Sequence, residues 1–307
     1  MKCIQTFFRR IPVVLSLCTG VLFAAIVALL LLAQPAMQPF YPDRSLLSNL
    51  VLFPATLAAI GGLILVNRRR LAVLENPWFI RLLFLMVLAV QLLVARTCWY
   101  HLGWDPGAVH DTAEEIARGL PVSGTDYFVS CPNNAPLSVL LSIPLWVAVR
   151  LGLGVPYVVL PYIDAVILNA TAFVCVQCVY RMSRSSAARI LSLVLSLGWI
   201  ALSPYILFPY TDVYAIFFPV MAFYVFLTLK NKPFLQWLLI SGLCFAGAAV
   251  KPTALIFLIA LILLSFCRFM AQRSYAASGF VKRGLIICLA IVLGAMPGRL
   301  FQTASTD

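Results

Sequence analysis

YVVLPYIDAVILNATAFVCVQCVY, residues Tyr157 to Tyr180, carries one charged side chain, Asp164. The hydrocarbon core of a bilayer is about 30 Å thick and a helix of about 20 apolar residues spans it. Inside hydrocarbon every backbone N–H and C=O must pair within its own segment, so the stretch reads as a helix. Runs of the same kind recur at 11–33, 46–66, 78–94, 136–151, 190–206, 213–229, 234–250, 253–270 and 284–297. The alternating polar and apolar pattern of an outer-membrane barrel is absent.

Composition agrees. The 307 residues are 63% hydrophobic and 10% charged, with a mean hydropathy of +1.01. A soluble domain of this length needs a far more polar surface. The expected fold class is therefore an all-α membrane protein. It is a polytopic helical bundle of about ten transmembrane helices forming a single transmembrane domain over residues 1–307. The net charge of +12 would suggest nucleic acid in a soluble protein. Here the basic residues sit in short connections, where they set topology, and no basic groove with interleaved aromatics supports a nucleic-acid partner.

Lys2, Arg9 and Arg10 precede the first run, which is too long and lacks a clean cleavage site for a secretory signal. It reads as an uncleaved helix with a cytoplasmic N-terminus at the cell membrane. Arg68, Arg69, Arg70 and Arg81 mark the next short loop as cytoplasmic. Residues 97–135 then form the first large exoplasmic loop. Arg181, Arg184 and Arg189 also belong to the cytoplasm, yet two full crossings between Pro136 and Tyr180 would place them outside. An odd number of crossings, with one piece re-entrant or lying flat, removes the conflict. Lys230 and Lys232 are cytoplasmic, while PYTD (Pro209 to Asp212) and the Lys251 junction are exoplasmic.

The exoplasmic loop concentrates carboxylates. GWDPGAVHDTAEEIARG, Gly103 to Gly119, holds Asp105, Asp111, Glu114 and Glu115. Pro early, acids in the first turn and Arg118 at the end make Pro106 to Arg118 a short helix lying on the membrane surface. Asp105 stands beside Trp104, at the boundary between lipid and water. A carboxylate there is suited to act as a general base or to hold a divalent cation, the one cofactor the sequence suggests. The alternative is that Asp105 only caps the helix.

Other polar groups fall in comparable places. Asp212 begins a span beside Tyr210 and Tyr214. Lys251, in VKPT, suits a lipid phosphate, or it snorkels to anchor a helix end. Asn133 and Asn134 in CPNN bind hydroxyls or cap the following span. His101 and His110, with Asp105 and Asp111, are the only grouping that could resemble a metal site. Cys98 and Cys131 flank the acidic loop and could pair in an oxidising compartment. CVQC (Cys175, Cys178) lies within a span and reads as small packing residues. Serine-hydrolase, phosphate-loop and dinucleotide signatures are missing.

The series GWDPGAVHDTAEEIARG, DYFVSCPNN, SPYILFPYTD and KPTALIFLIA resembles bacterial integral-membrane glycosyltransferases of the C-type superfamily (GT-C), mannosyltransferase-like proteins that use polyprenyl-phosphate sugars. The likeness covers about residues 78 to 265. It implies an exoplasmic catalytic acid at Asp105, and substrate contacts at Asp212, Lys251, Asn133, Asn134 and Asp111. CPNN is similar to a YPNN motif, with Cys131 where tyrosine is usual. The donor implied is a polyprenyl-phosphate-linked sugar. The acceptor is a hydroxyl on a glycan, lipid or protein, with Lys251, Arg299 or a metal stabilising the leaving phosphate. Members are commonly longer, so a truncated, inactive remnant is one alternative. A transporter or flippase of lipid-linked envelope intermediates is the other, and it would draw on Asp164 and Asn169 inside the quoted span.

Overall fold

The structure, a computed structural model, describes residues 70–253 together with 62, 256, 257, 259–261 and 263. The expected spans at 11–33, 46–66 and 284–297, most of that at 253–270, and Arg299 lie outside the described residues. The chain divides into two compact units, residues 1–72 with 261–280 and residues 73–260 with 281–307. From Val73 onward the elements below belong to the second.

Among the described residues every regular element is helical. A 3₁₀ turn, Arg70–Glu75, leads into α1, Pro77–Cys98. Then come α2 (Trp104–Arg118), α3 (Thr125–Ser130), α4 (Ala135–Arg150), α5 (Val159–Met182) and α6 (Ser186–Ser196). α6 runs on into a π-helical turn, Leu197–Ala201, before α7 (Thr211–Thr228) and α8 (Pro233–Val250). Six helices are long and apolar enough to cross a membrane, so the expected total of about ten rests on residues beyond those described.

Local chemistry sets the ends. α1 starts at Pro77 because Asn76 accepts a hydrogen bond from the Trp78 amide at 2.9 Å, a side-chain cap on an otherwise orphaned donor. α2 stops at Gly119, whose φ of +70° is the left-handed conformation glycine adopts without strain. The Leu120 amide then reaches back to the Glu115 carbonyl at 2.8 Å. α8 ends at Val250 because Pro252 pushes Lys251 into extended backbone.

Side-chain bonds fix the direction of each pass. Tyr180 at the end of α5 donates to the Leu74 carbonyl at 3.2 Å, and Arg189 of α6 pairs with Glu75 at 3.3 Å. Ser186 also bonds Glu75. The arginine-rich turn after α5 therefore lies at the end where α1 begins. At the opposite end, Tyr157 donates to Asp111 of α2 at 2.8 Å, and His110 of α2 meets the Pro209 carbonyl at 2.5 Å. Arg181 at the first end bonds Tyr224 near the close of α7. Lys251, after α8, pairs with Asp212 at the start of α7. α1, α5, α6, α7 and α8 thus run alternately between a Glu75 end and an α2 end.

α4 is the exception. Asn134, just before it, bonds Tyr210 at the α2 end, and the chain is back at that end by Tyr157. A 16-residue helix is about 24 Å long. The connection from Arg150 to Tyr157 could match that only if fully extended. Instead it turns at once, with Gly152 at φ +71° and the Leu153 amide bonded back to Ala148. α4 therefore packs along α2 and does not deliver the chain to the Glu75 end. This is why Arg181, Arg184 and Arg189 share an end with Arg81.

The interior is apolar around Leu137, Leu141, Leu145, Leu160, Leu168 and Val213. A polar staple crosses between α1 and α5 near mid-height. Asn169 donates to the Phe84 carbonyl at 3.1 Å and to Gln91 at 3.0 Å, while Gln91 donates to the Ala201 carbonyl in the π turn. Both amide protons of Asn169 are used, so the residue joins α1, α5 and the π turn. Asn169→Ala is expected to cost about 1–2 kcal/mol by orphaning Gln91. Thermal unfolding in detergent, compared with the wild type, measures it.

Candidate functional site

The α2 end gathers most of the acidic side chains, and the turn that opens α2 places one of them. The chain reverses at Leu102–Trp104. Trp104 has φ +54°, a left-handed conformation that costs a bulky residue about 1–3 kcal/mol. Gly107 faces the reversal, since a Cβ there would stand 2.5 Å from the Leu102 carbonyl oxygen. Only glycine lets the incoming strand lie against the first helical turn. Asp105 is consequently held in that turn rather than before it. The N-cap position belongs to Gly103, with no side-chain cap, so Asp105 does not serve as the helix cap. It is exposed, and among the described residues it makes no hydrogen bond or ion pair. Trp104 beside it is 95% exposed.

Three separate motifs converge next to it. Asn134, buried on the turn before α4, donates one amide proton to the Tyr127 hydroxyl at 2.5 Å and the other to the Tyr210 hydroxyl at 2.9 Å. Asn133 donates to the Asn134 carbonyl oxygen at 3.0 Å. Burial, the bond with Tyr210 and the nearby charge of Asp105 push the Tyr127 hydroxyl far up, against the opposing pull of Asn134. Tyr127 stays protonated. Both phenols accept from Asn134. One proton can bridge the phenols, which leaves one O–H free to donate outward.

Two residues beyond Tyr210, Asp212 is paired with Lys251 at the close of α8. Both side chains are partly exposed, at 43% and 31%. α8 touches the turn that carries Asn133 and Asn134. The expected group Asn133, Asn134, Asp212 and Lys251 is therefore brought together, with the charge of Asp105 near enough to be felt at Tyr127. An apolar cavity of about 360 Å³ adjoins it, lined by Thr112, Ile116, Phe128, Ala135, Ser138 and Val139. The Ser138 hydroxyl is buried without a hydrogen-bond partner.

Asp111 lies elsewhere. Six residues after Asp105, it points about 120° away around α2. It bonds His101 at 3.0 Å and Tyr157 at 2.8 Å. Glu114 pairs with Arg118, and Glu115 accepts from Ser123. Among the described residues no three side chains of metal-ligating type gather. Cys98 and Cys131 are both free, as are Cys175 and Cys178.

His110 is buried, and that burial holds its imidazole below the usual value of 6.5 despite the bond to Pro209. The carbonyl can only accept, so the neutral ring donates from Nε2. The unfolded chain takes up a proton as pH falls through about 6.5, and the native ring resists it. Stability is therefore complete above that value and falls below it. The melting temperature is expected to drop between pH 7.5 and pH 5.5, and to drop less in His110→Gln. Equal drops in the two proteins would remove His110 as the cause.

The conserved hypothetical integral membrane protein family has a sequence profile that matches residues 9–305. The chain belongs to that family. No curated protein and no solved structure matches it. Membership agrees with a multi-pass helical protein in a lipid bilayer and is silent on chemistry.

Tyr127 was not foreseen among the site residues. Its only signal in the sequence is its place seven residues before Asn134, in the segment DYFVSCPNN.

Proposed function

We propose that this protein is a membrane glycosyltransferase that moves a sugar from a polyprenyl-phosphate donor to a hydroxyl acceptor at the outer face of the cell membrane. The observation that carries the reading is the convergence at one end of the bundle. Asp105, a carboxylate without a hydrogen-bond or ion-pair partner among the described residues, lies near the Tyr127–Asn134–Tyr210 cluster, which adjoins the Lys251–Asp212 pair.

Each part has a task in direct displacement. Asp105 takes the proton of the acceptor hydroxyl as that oxygen attacks the anomeric carbon. The bond from that carbon to the phosphate oxygen breaks, and the electron pair leaves with the lipid phosphate. Lys251 stabilises the charge gathering there. The spare phenolic proton of the tyrosine pair donates to a sugar or phosphate oxygen. Asp212 is committed to Lys251, which leaves Asp105 as the one unpaired acid near this cluster among the described residues, and that suits inversion rather than a two-carboxylate double displacement. The adjoining apolar cavity supplies room for alkyl chain beside the polar cluster. The positive-inside rule supports the orientation. Arg81, Arg181, Arg184, Arg189, Lys230 and Lys232 share the Glu75 end, which favours a cytoplasmic Glu75 end with the α2 end and residues 97–135 outside.

The test is an exchange assay. Purified full-length protein is given radiolabelled polyprenyl-phosphate hexoses and pentoses with crude membrane acceptor, with and without a chelator. Label reaching acceptor supports the reading, and loss on chelation adds a divalent cation held by the carboxylates. No transfer from any donor by folded protein overturns it. Transport of lipid-linked intermediates is the second reading, and one observation favours it: Asp164 is wholly buried within a span.

A further inference from the structure

Asp164 has no part in the chemistry above, and its surroundings are unusual. It sits in α5 with none of its surface exposed. Oδ1 accepts a hydrogen bond from the Tyr214 hydroxyl of α7 at 3.0 Å. Oδ2 is buried and, among the described residues, has no hydrogen-bond partner. An ionised carboxylate in such a place costs several kcal/mol unless a cation or several donors compensate. Among the described residues no cation does so. The neighbouring helices bring Arg81 and Arg96 of α1 and Arg150 of α4, all exposed. Arg189 of α6 is held by Glu75, and Lys251 by Asp212 of α7. Tyr214 is the one titratable side chain bonded to Asp164.

A small cavity lies one helical turn away along α5. Leu160 and Pro161 of α5 line a cavity at the α2 end together with His101, His110, Tyr157 and Pro209. Its volume, about 10 Å³, matches room for a single water. Leu160 and Asp164 are four residues apart on one helix face, so the carboxyl lies about 6 Å deeper along α5.

We propose that Asp164 is an intramembrane proton-binding site, carrying its proton on Oδ2 with Tyr214 fixing Oδ1, and exchanging it with the α2 end through this cavity. The ligand is H⁺, and binding converts carboxylate to carboxylic acid with no other reactant. Losing the proton would leave a bare charge between α5 and α7. The position of α7, whose first turn carries Asp212, is thereby tied to the loaded state. The inference does not depend on glycosyl transfer.

Infrared difference spectroscopy of the full-length protein in lipid nanodiscs tests it. The wild-type minus Asp164→Asn spectrum at pH 7 is expected to contain one carboxylic-acid C=O band, and D₂O is expected to shift it within hours. Asp164→Glu should keep the band at a displaced position, which preserves the test if the asparagine variant unfolds. A difference spectrum that shows loss of a carboxylate band overturns the proposal. So does an acid band that D₂O leaves unmoved for days, which would mean no route to water. So does a carboxylate that sodium ions bring out at constant pH, which would make the site a cation site.

Discussion

Asp105→Asn is expected to lower sugar transfer by about 10²–10⁴-fold, the range a positioned general base supplies. The substitution keeps shape and removes the lone pair that accepts the proton. Few other properties should change. Asp105 makes no hydrogen bond or ion pair among the described residues, so the fold loses only a first-turn charge, worth about 0.3–1 kcal/mol. Donor binding through Lys251 and the tyrosine pair should persist, so the loss should appear in kcat rather than in KM. Asp111→Asn is the matched comparison. It removes an acid from the same helix but from the His101–Tyr157 group, and transfer should stay within a few-fold of wild type. Initial rates with labelled donor decide between them. Unchanged transfer by Asp105→Asn, or equal losses in both variants, would remove Asp105 from the reaction.

The fold was legible wherever its cause was local. Apolar length marked the six span-length helices in the described region. Pro106, Arg118 and Gly119 marked α2 closely, because caps and the first turn act within a few residues. α4 was not separable from a crossing helix by hydropathy run alone. Its window, Pro132–Arg150, has a hydropathy of 1.2, the lowest of the six, which range up to 2.3. That difference is too small to show that α4 buries itself against α2. The same gap separates the two parts of the site. Asp105, Asn133, Asn134, Asp212 and Lys251 stood out because polar residues at span ends are scarce. Their meeting was hidden, since Asn134 and Tyr210 lie 76 positions apart. Asp105 and Asp111 were expected in one site, but the helix turns them to different neighbours.

The pairing of Lys251 with Asp212 predicts a non-additive result. In the proposed reaction Lys251 supplies the positive charge that meets the departing phosphate, and Asp212 aims it. Lys251→Met should lower kcat by about 10²–10³-fold, the effect of losing one preorganised group that stabilises transition-state charge. Asp212→Asn should cost less, because an unpaired lysine still carries its charge although its position is looser. Once the lysine is gone Asp212 has nothing to aim, so the double variant should resemble Lys251→Met alone. That shortfall from the product of the single effects is the coupling. Lys251→Arg should recover part of the rate, as a cation of different geometry. Both side chains are partly exposed, so the ion pair itself adds little to stability, and melting temperatures should move by only a few degrees. A lysine that merely anchors the end of α8 gives the opposite pattern. Transfer by Lys251→Met would then remain at wild-type level, and the assignment of the leaving-group cation would pass to another residue.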